Sequence, residues 1–166
     1  MLGTRDAPGS AIGSLRPAPL PAGPALDPVN REVADPVLTV ASQLLGVMML
    51  VTDMSGRPVT PVANPCAWFE GRSADPDVLE ACSAKWRAMA ADPDLSPRFR
   101  TGRLGLECAQ SFIRAGTRLV GMVLAGGVAP PTSSVRGLYH LSAEERGRVL
   151  NALPRVSAAL SRVATS

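Results

Sequence analysis

The side chains with the most reactive chemistry in this 166-residue chain are three cysteines, Cys66, Cys82 and Cys108, and one histidine, His140. An odd number of widely spaced cysteines argues against a disulfide framework. A structural zinc site needs four closely spaced nitrogen or sulfur ligands, and the sequence offers no such group. Cys82 and Cys108 fall on apolar faces and are predicted core residues. Cys66 lies in an irregular stretch and is the best candidate for a reactive thiol.

The chain shows no pattern of residues that would support catalysis. Paired carboxylates, a Ser/His/Asp arrangement and a glycine-rich phosphate loop are all missing from the sequence. By these criteria the protein is not an enzyme. The formal net charge is +3, but the basic residues are scattered and aromatic residues make up only 4% of the chain. This composition argues against nucleic-acid binding, which uses clustered basic residues and aromatic stacking surfaces.

Polar side chains among large apolar ones indicate a non-covalent binding pocket instead. Gln110 shares a strand face with Cys108 and Phe112 by the two-residue period, and a buried glutamine needs a hydrogen-bonding partner. Arg103, in the loop RTGR, suits an anionic ligand, although a solvated loop arginine stays an open alternative. The predicted ligand-binding residues are Asn64, Cys66, Trp68, Trp86, Arg103, Gln110, Phe112 and Met122, with Met48, Phe69, Glu107 and Ser111 as further wall or polar candidates.

Helices and strands that would carry these residues follow from periodicity and capping signals. Asp35-Pro36 predicts a helix start, VMMLV (47–51) a strand, and RPVTPV a short partner strand. Asp75-Pro76 opens a second helix over 75–91. Residues 105–128 predict two strands joined at 115–117. The capping box at 142–145 starts a terminal helix, in which a proline at 154 predicts a kink or break. The order indicates an α+β domain with an antiparallel sheet and helices on one side.

Four stretches of the sequence, taken in order, resemble the PocR-type sensory domain, a PAS/GAF-like ligand-binding module. They are VTDMSGRPVT with ANPC (51–66), the helix 75–91, GLECAQSFIRAG (105–116) and LVGMVLAGGV (119–128). The resemblance implies a PAS/GAF-like antiparallel sheet flanked by helices, with a small molecule held between the sheet and its cover. It departs from the family in two places: the loop RTGRL lacks a cysteine, and Gly127 replaces a polar side chain.

Three segments follow from this interpretation. Residues 1–30 are rich in proline and glycine and are predicted to be a disordered tail. Residues 31–140 form the PocR-like sensory domain. Residues 141–166 form a terminal helix for signalling or dimerisation, because its apolar residues recur at 4-3 spacing.

The predicted function is a stand-alone small-molecule-binding sensory or regulatory domain. It would signal through a protein output partner or through a change in a homodimer built on the terminal helix. Two alternatives stay open: a ligand-free protein-interaction module whose pocket is filled by Met48, Phe112 and Met122, and a thiol redox sensor using Cys66. The sequence names no cofactor. It carries no signal-peptide pattern and no apolar run long enough to span a bilayer, so we predict a cytoplasmic protein that makes no membrane contact.

Overall fold

The computed structural model describes residues 28–165, so the predicted tail of residues 1–30 falls almost wholly outside the described part of the chain. Within it, helices and strands alternate as an α+β fold. Their bounds are α1 Arg31–Leu45, β1 Met48–Thr52, α2 Ala67–Glu70, α3 Pro76–Ala91, β2 Arg100–Thr101, β3 Glu107–Ala115, β4 Arg118–Val128 and α4 Ala143–Arg162.

The four strands form one antiparallel sheet in the order β1-β4-β3-β2. The predicted partner strand RPVTPV (57–62) runs along the outer edge of β1 without a continuous ladder. Isolated bridges form at Pro58 and at Ala63, the residue that follows this stretch. Its two prolines lack the backbone N–H that a continuous ladder requires. The hydroxyl of Thr60 replaces one ladder bond by accepting from the backbone N–H of Val51 at 2.9 Å.

Helices cover both faces of the sheet, and the prediction of helices on one side is wrong in this respect. We call the side under α1 and α4 the first face and the side under α2 and α3 the second face. Successive strand residues point to opposite sides, so a strand buried on both faces is almost continuously apolar. β1 shows this pattern, since all five of its residues are buried.

The apolar seam of α4 packs into the first face. Val149, Leu153 and Leu160 are all at most 1% exposed. Ser111 ties β3 to the same helix by donating its hydroxyl to the carbonyl of Leu153 at 2.8 Å. These three residues of the 4-3 seam therefore serve the fold of the single chain, while Val163 at the end of the seam is 37% exposed.

Several predicted boundaries are confirmed and others are corrected. β1, the 107–128 hairpin, the Asp75 cap of α3 and the α4 capping box lie where the sequence predicted them. The predicted start of α1 at Asp35-Pro36 was wrong. Asn30 caps the helix and accepts from two backbone N–H groups of its first turn. α4 runs through Pro154 without a break. Two short elements were not predicted: α2, Ala67–Glu70, and β2, which lies in the RFRTGRL loop.

A tight turn after β1 packs against α3. The Asp53 carboxylate accepts from the backbone N–H groups of Ser55 and Arg57 at 2.9 and 3.0 Å. Gly56 follows with φ +85°, a conformation that glycine adopts without steric cost. A Cβ atom there would lie 2.6 Å from the backbone nitrogen of Arg87, so the turn lies directly against the backbone of α3.

The helices of residues 28–165 include none with the length and apolarity needed to cross a bilayer.

Candidate functional site

A small cavity of about 50 Å³ opens between the second face, α3 and the loop that follows β2. Apolar side chains from the strands and from α3 form most of its wall, and Lys85, Arg103 and Glu107 stand among them. The lining residues are Met48, Leu50, Phe69, Ala81, Cys82, Lys85, Trp86, Gly102, Arg103, Leu104, Leu106, Glu107, Cys108, Leu124, Gly126 and Gly127.

An irregularity in the β3–β4 ladder shapes the sheet side of this cavity. The register shifts between Glu107 and Ala109, opposite the glycine pair of β4. Such a bulge re-aims side chains locally. A Cβ on Gly126 would lie 3.2 Å from the Cβ of Cys108, so a side chain there would crowd the cavity floor.

Position 127 requires glycine for two reasons, its backbone conformation and its close contact with Cys66. Its φ is +71°, which strains any residue with a Cβ, and that Cβ would lie 3.1 Å from the Sγ of Cys66. The polar side chain that the resemblance places here has no room in this chain. Cys66 occupies that room from the side of α2.

The three cysteines lie on or beside the second face and are free thiols. Burial raises the pKa of Cys108 to about 12 and that of Cys82 to about 11, and it also raises the pKa of Cys66. The Sγ of Cys108 lies 3.4 Å from the Sδ of Met89, a sulfur contact inside the apolar cluster. These surroundings favour the neutral thiol, whereas nucleophilic attack requires the thiolate.

The charged groups around the cavity differ in how they are paired. Glu107 forms a close ion pair with Arg146 of α4 at 2.6 Å, and both side chains are largely buried. Arg103 lies 3.7 Å from Glu80, but both side chains are well exposed, which makes this pair weak. Within residues 28–165, Lys85 has neither a salt bridge nor a hydrogen bond.

Gln110 is fully buried on the second face, between Cys108 and Phe112. Neither its amide oxygen nor its amide nitrogen has a hydrogen-bond partner among the described residues. Leaving such a group unpaired costs about 1–3 kcal/mol. Gln110 does not itself line the cavity, but its cross-strand neighbour Leu124 does.

The structure brings some of the predicted site residues to the cavity and leaves others away from it. Trp86 and Arg103 line the cavity. Cys66, Phe112 and Met122 belong to the apolar cluster of the second face without reaching its wall. Trp68 packs against the edge of this cluster. Asn64 and the polar Ser111, which is on the first face, do not line the cavity.

Asn64 has a structural position instead of a cavity position. Its amide donates to the carbonyls of Ser42 and Val47, at 3.2 and 3.1 Å, and so ties the end of α1 to β1. Its φ of +52° is a conformation that asparagine tolerates better than most residues. Trp68 carries the guanidinium of Arg72 over its ring, 4.6 Å from the ring centre.

Sequence reasoning missed Lys85 and the two loop leucines, Leu104 and Leu106, as lining residues. One signal for Lys85 was present: it follows Cys82 by three residues, which places both on neighbouring positions of one helix face. Lys85 is also the chain's single lysine. The leucines gave no such signal, because the path of a loop is not set by periodicity.

No family model and no curated protein matches this chain. Within residues 28–165, histidine, cysteine and carboxylate side chains form no group of three that could hold a metal ion. The arrangement around the cavity is therefore described by its own chemistry: apolar walls, neutral thiols and one unpaired cation.

Proposed function

We propose that this chain is a small-molecule-binding sensory domain of the PocR-like, PAS/GAF-like kind, with its ligand held between the second face and α3. The observation that carries the proposal is the apolar cavity between the 107–128 hairpin and α3. Ligand sites are typically concave and apolar with a few polar groups, and this cavity has that character.

The size of the cavity sets the scale of the ligand. Its volume of about 50 Å³ is several times the roughly 10–15 Å³ that a single water needs. It is well below the roughly 300–1,000 Å³ of sites for drug-sized molecules. The proposed ligand is accordingly a compound of a few heavy atoms, or one that enters as the partly buried loop leucines move aside.

A ligand in this position acts by shifting the population between two arrangements of α3 and its loop. It does so only if it binds one arrangement more tightly than the other. The signal then passes to a protein output partner. A homodimer through α4 has less support, because Val149, Leu153 and Leu160 of its seam pack against the sheet of the same chain.

The ligand-free interaction module is the second candidate, and one observation favours it. Met48, Phe112 and Met122 are all buried on the second face and fill much of the space there. For the redox sensor, the raised pKa of Cys66 opposes thiolate formation, so this alternative has the least support.

Ligand binding can be tested directly on the full chain. We expect thermal unfolding in the presence of a panel of small metabolites to show a rise in Tm for at least one chemical class. Replacing Cys82, which lines the cavity, by Phe should fill the space and abolish that rise. A panel without any stabilising compound, together with a purified protein that releases no small molecule on denaturation, would support the ligand-free module.

A further inference from the structure

Lys85 reaches the cavity across Gly102. A Cβ on Gly102 would lie 2.7 Å from the Cδ of Lys85 and 3.5 Å from its Cε. The missing side chain at this glycine therefore makes room for the aliphatic stem of the lysine. The stem packs against the loop, and Lys85 is one of the residues that line the cavity.

The ammonium group of Lys85 has no anionic partner among the described residues, although anionic groups are near. Glu107 is bound to Arg146, and Glu80 lies beside Arg103. Burial lowers the pKa of Lys85, as expected for a cation with incomplete solvation and no ion pair. A partly buried charge of this kind is stabilised when an opposite charge joins it.

We propose that the cavity binds a small monocarboxylate, whose carboxylate pairs with the Lys85 ammonium and whose short apolar chain lies among Leu106, Cys82 and Leu124. The inference rests on the proposed ligand-binding function and names the ligand's chemical class. The single positive charge of Lys85 matches the single negative charge of a monocarboxylate. The lysine ammonium is a compact point charge. The cavity of about 50 Å³ limits the chain to a few carbons.

The experiment compares two nearly isosteric probes, butanoate and butanamide, titrated into the full chain by calorimetry. We expect butanoate to bind about tenfold more tightly or better, because a charge-assisted hydrogen bond is stronger than a neutral one. Lys85→Met should remove this preference and leave butanamide binding unchanged. Lys85→Arg, which keeps the charge, should retain part of it.

Arg87→Met is the matched control, since Arg87 is an exposed cation on the same helix, two residues after Lys85, and is not among the residues that line the cavity. We expect this variant to bind butanoate with an affinity within about twofold of the parent's. That change is smaller than the loss of one charge-assisted hydrogen bond would cause. Circular dichroism of each variant checks that it is folded. An equal loss in Arg87→Met and Lys85→Met would show general charge attraction and overturn the assignment to Lys85.

The outcomes separate this inference from the proposed function. If butanamide binds as tightly as butanoate and Cys82→Phe abolishes both, the cavity is a ligand site but the carboxylate class is wrong. If neither probe binds and the metabolite panel finds another class, the same conclusion holds. If no compound of any class binds, both proposals fail.

Discussion

The two faces of the sheet are built from different kinds of side chain. The first face is made of small and branched aliphatic residues such as Ala109, Val123 and Ala125, and α4 lies directly on β3 and β4. The second face carries sulfur-containing and aromatic residues such as Met122 and Phe112, and α3 contacts that cluster through large side chains. Small residues allow a helix to approach closely, whereas large side chains hold it farther from the sheet. The cavity lies on the second face, under the helix that is held off by large side chains.

The largest expected effect tests the packing of the first face. Leu153→Ala removes a fully buried side chain of α4 and should lower the free energy of unfolding by about 2–5 kcal/mol. Leu106→Ala, in the partly buried cavity loop, should cost less than about 2 kcal/mol, since the site is already open. Urea denaturation measures both. Equal losses would contradict the difference between the faces.

A second test separates backbone strain from crowding beside the cavity. Gly127→Ala and Gly116→Ala both place a Cβ at positive φ, which costs about 1–2 kcal/mol. Only Gly127 has a neighbour in the way, the Sγ of Cys66 at 3.1 Å. We expect Gly127→Ala to cost about 2–4 kcal/mol in urea denaturation, the excess coming from overpacking.

Adding Cys66→Ala to Gly127→Ala should recover the part of the stability loss that comes from overpacking against the Sγ of Cys66. If the double variant is no more stable than expected from the two single changes, the Sγ contact is not the cause.

Removing one helix cap on each face is a third comparison. Ser142→Ala deletes the hydroxyl that caps α4, and Asp75→Ala deletes the carboxylate that caps α3. Each should cost about 1 kcal/mol of helix stability. We expect Ser142→Ala to lower global stability, because α4 belongs to the packed core. Asp75→Ala should mainly speed amide hydrogen exchange within α3. A uniform change over the whole chain in both variants would show that α3 unfolds only with the core.

The smallest expected effect concerns the buried thiol of Cys108. Its pKa is raised to about 12 from a model-peptide value near 9.0, so the folded chain holds a proton that the unfolded chain releases above pH 9. The resulting stability is fully present below pH 9 and is lost as the pH rises towards 12. Between pH 8 and pH 10, the parent should therefore lose more stability than Cys108→Ala, as measured by urea denaturation. If the parent and Cys108→Ala lose the same stability over this pH range, the Cys108 thiol is in contact with water in the folded chain.

Much of the fold followed from the sequence, for identifiable reasons. The hairpin and α3 carry strong local signals, an alternating pattern with a Gly-containing turn and an Asp-Pro start. Asp35-Pro36 misled because Asn30 caps the helix one turn earlier, and α1 continues through Pro36, its sixth residue, although the proline lacks the N–H for one intrahelical bond. The covering of both faces was not predictable from each helix alone, since it depends on which apolar stripe meets which side of the sheet.

The candidate site followed from the sequence only in part. Trp86 and Arg103 were predicted and line the cavity, because an apolar helix face and a polar loop are both visible in the sequence. Asn64 looked like a ligand contact, but its amide is used by two backbone carbonyls. Lys85 was overlooked because a lysine on a helix is usually solvated, and only the path of the loop at Gly102 shows that its stem is covered.

The contact between Gly56 and α3 has a mechanical consequence. The Asp53 hydrogen bonds make the turn stiff, and the turn continues directly from β1, whose other neighbour is β4. An outward displacement of α3 must therefore either break its contact with Gly56 or carry the end of β1 with it. A movement of α3 that carries β1 would in that way reach α1, which packs against β1 on the opposite side of the sheet.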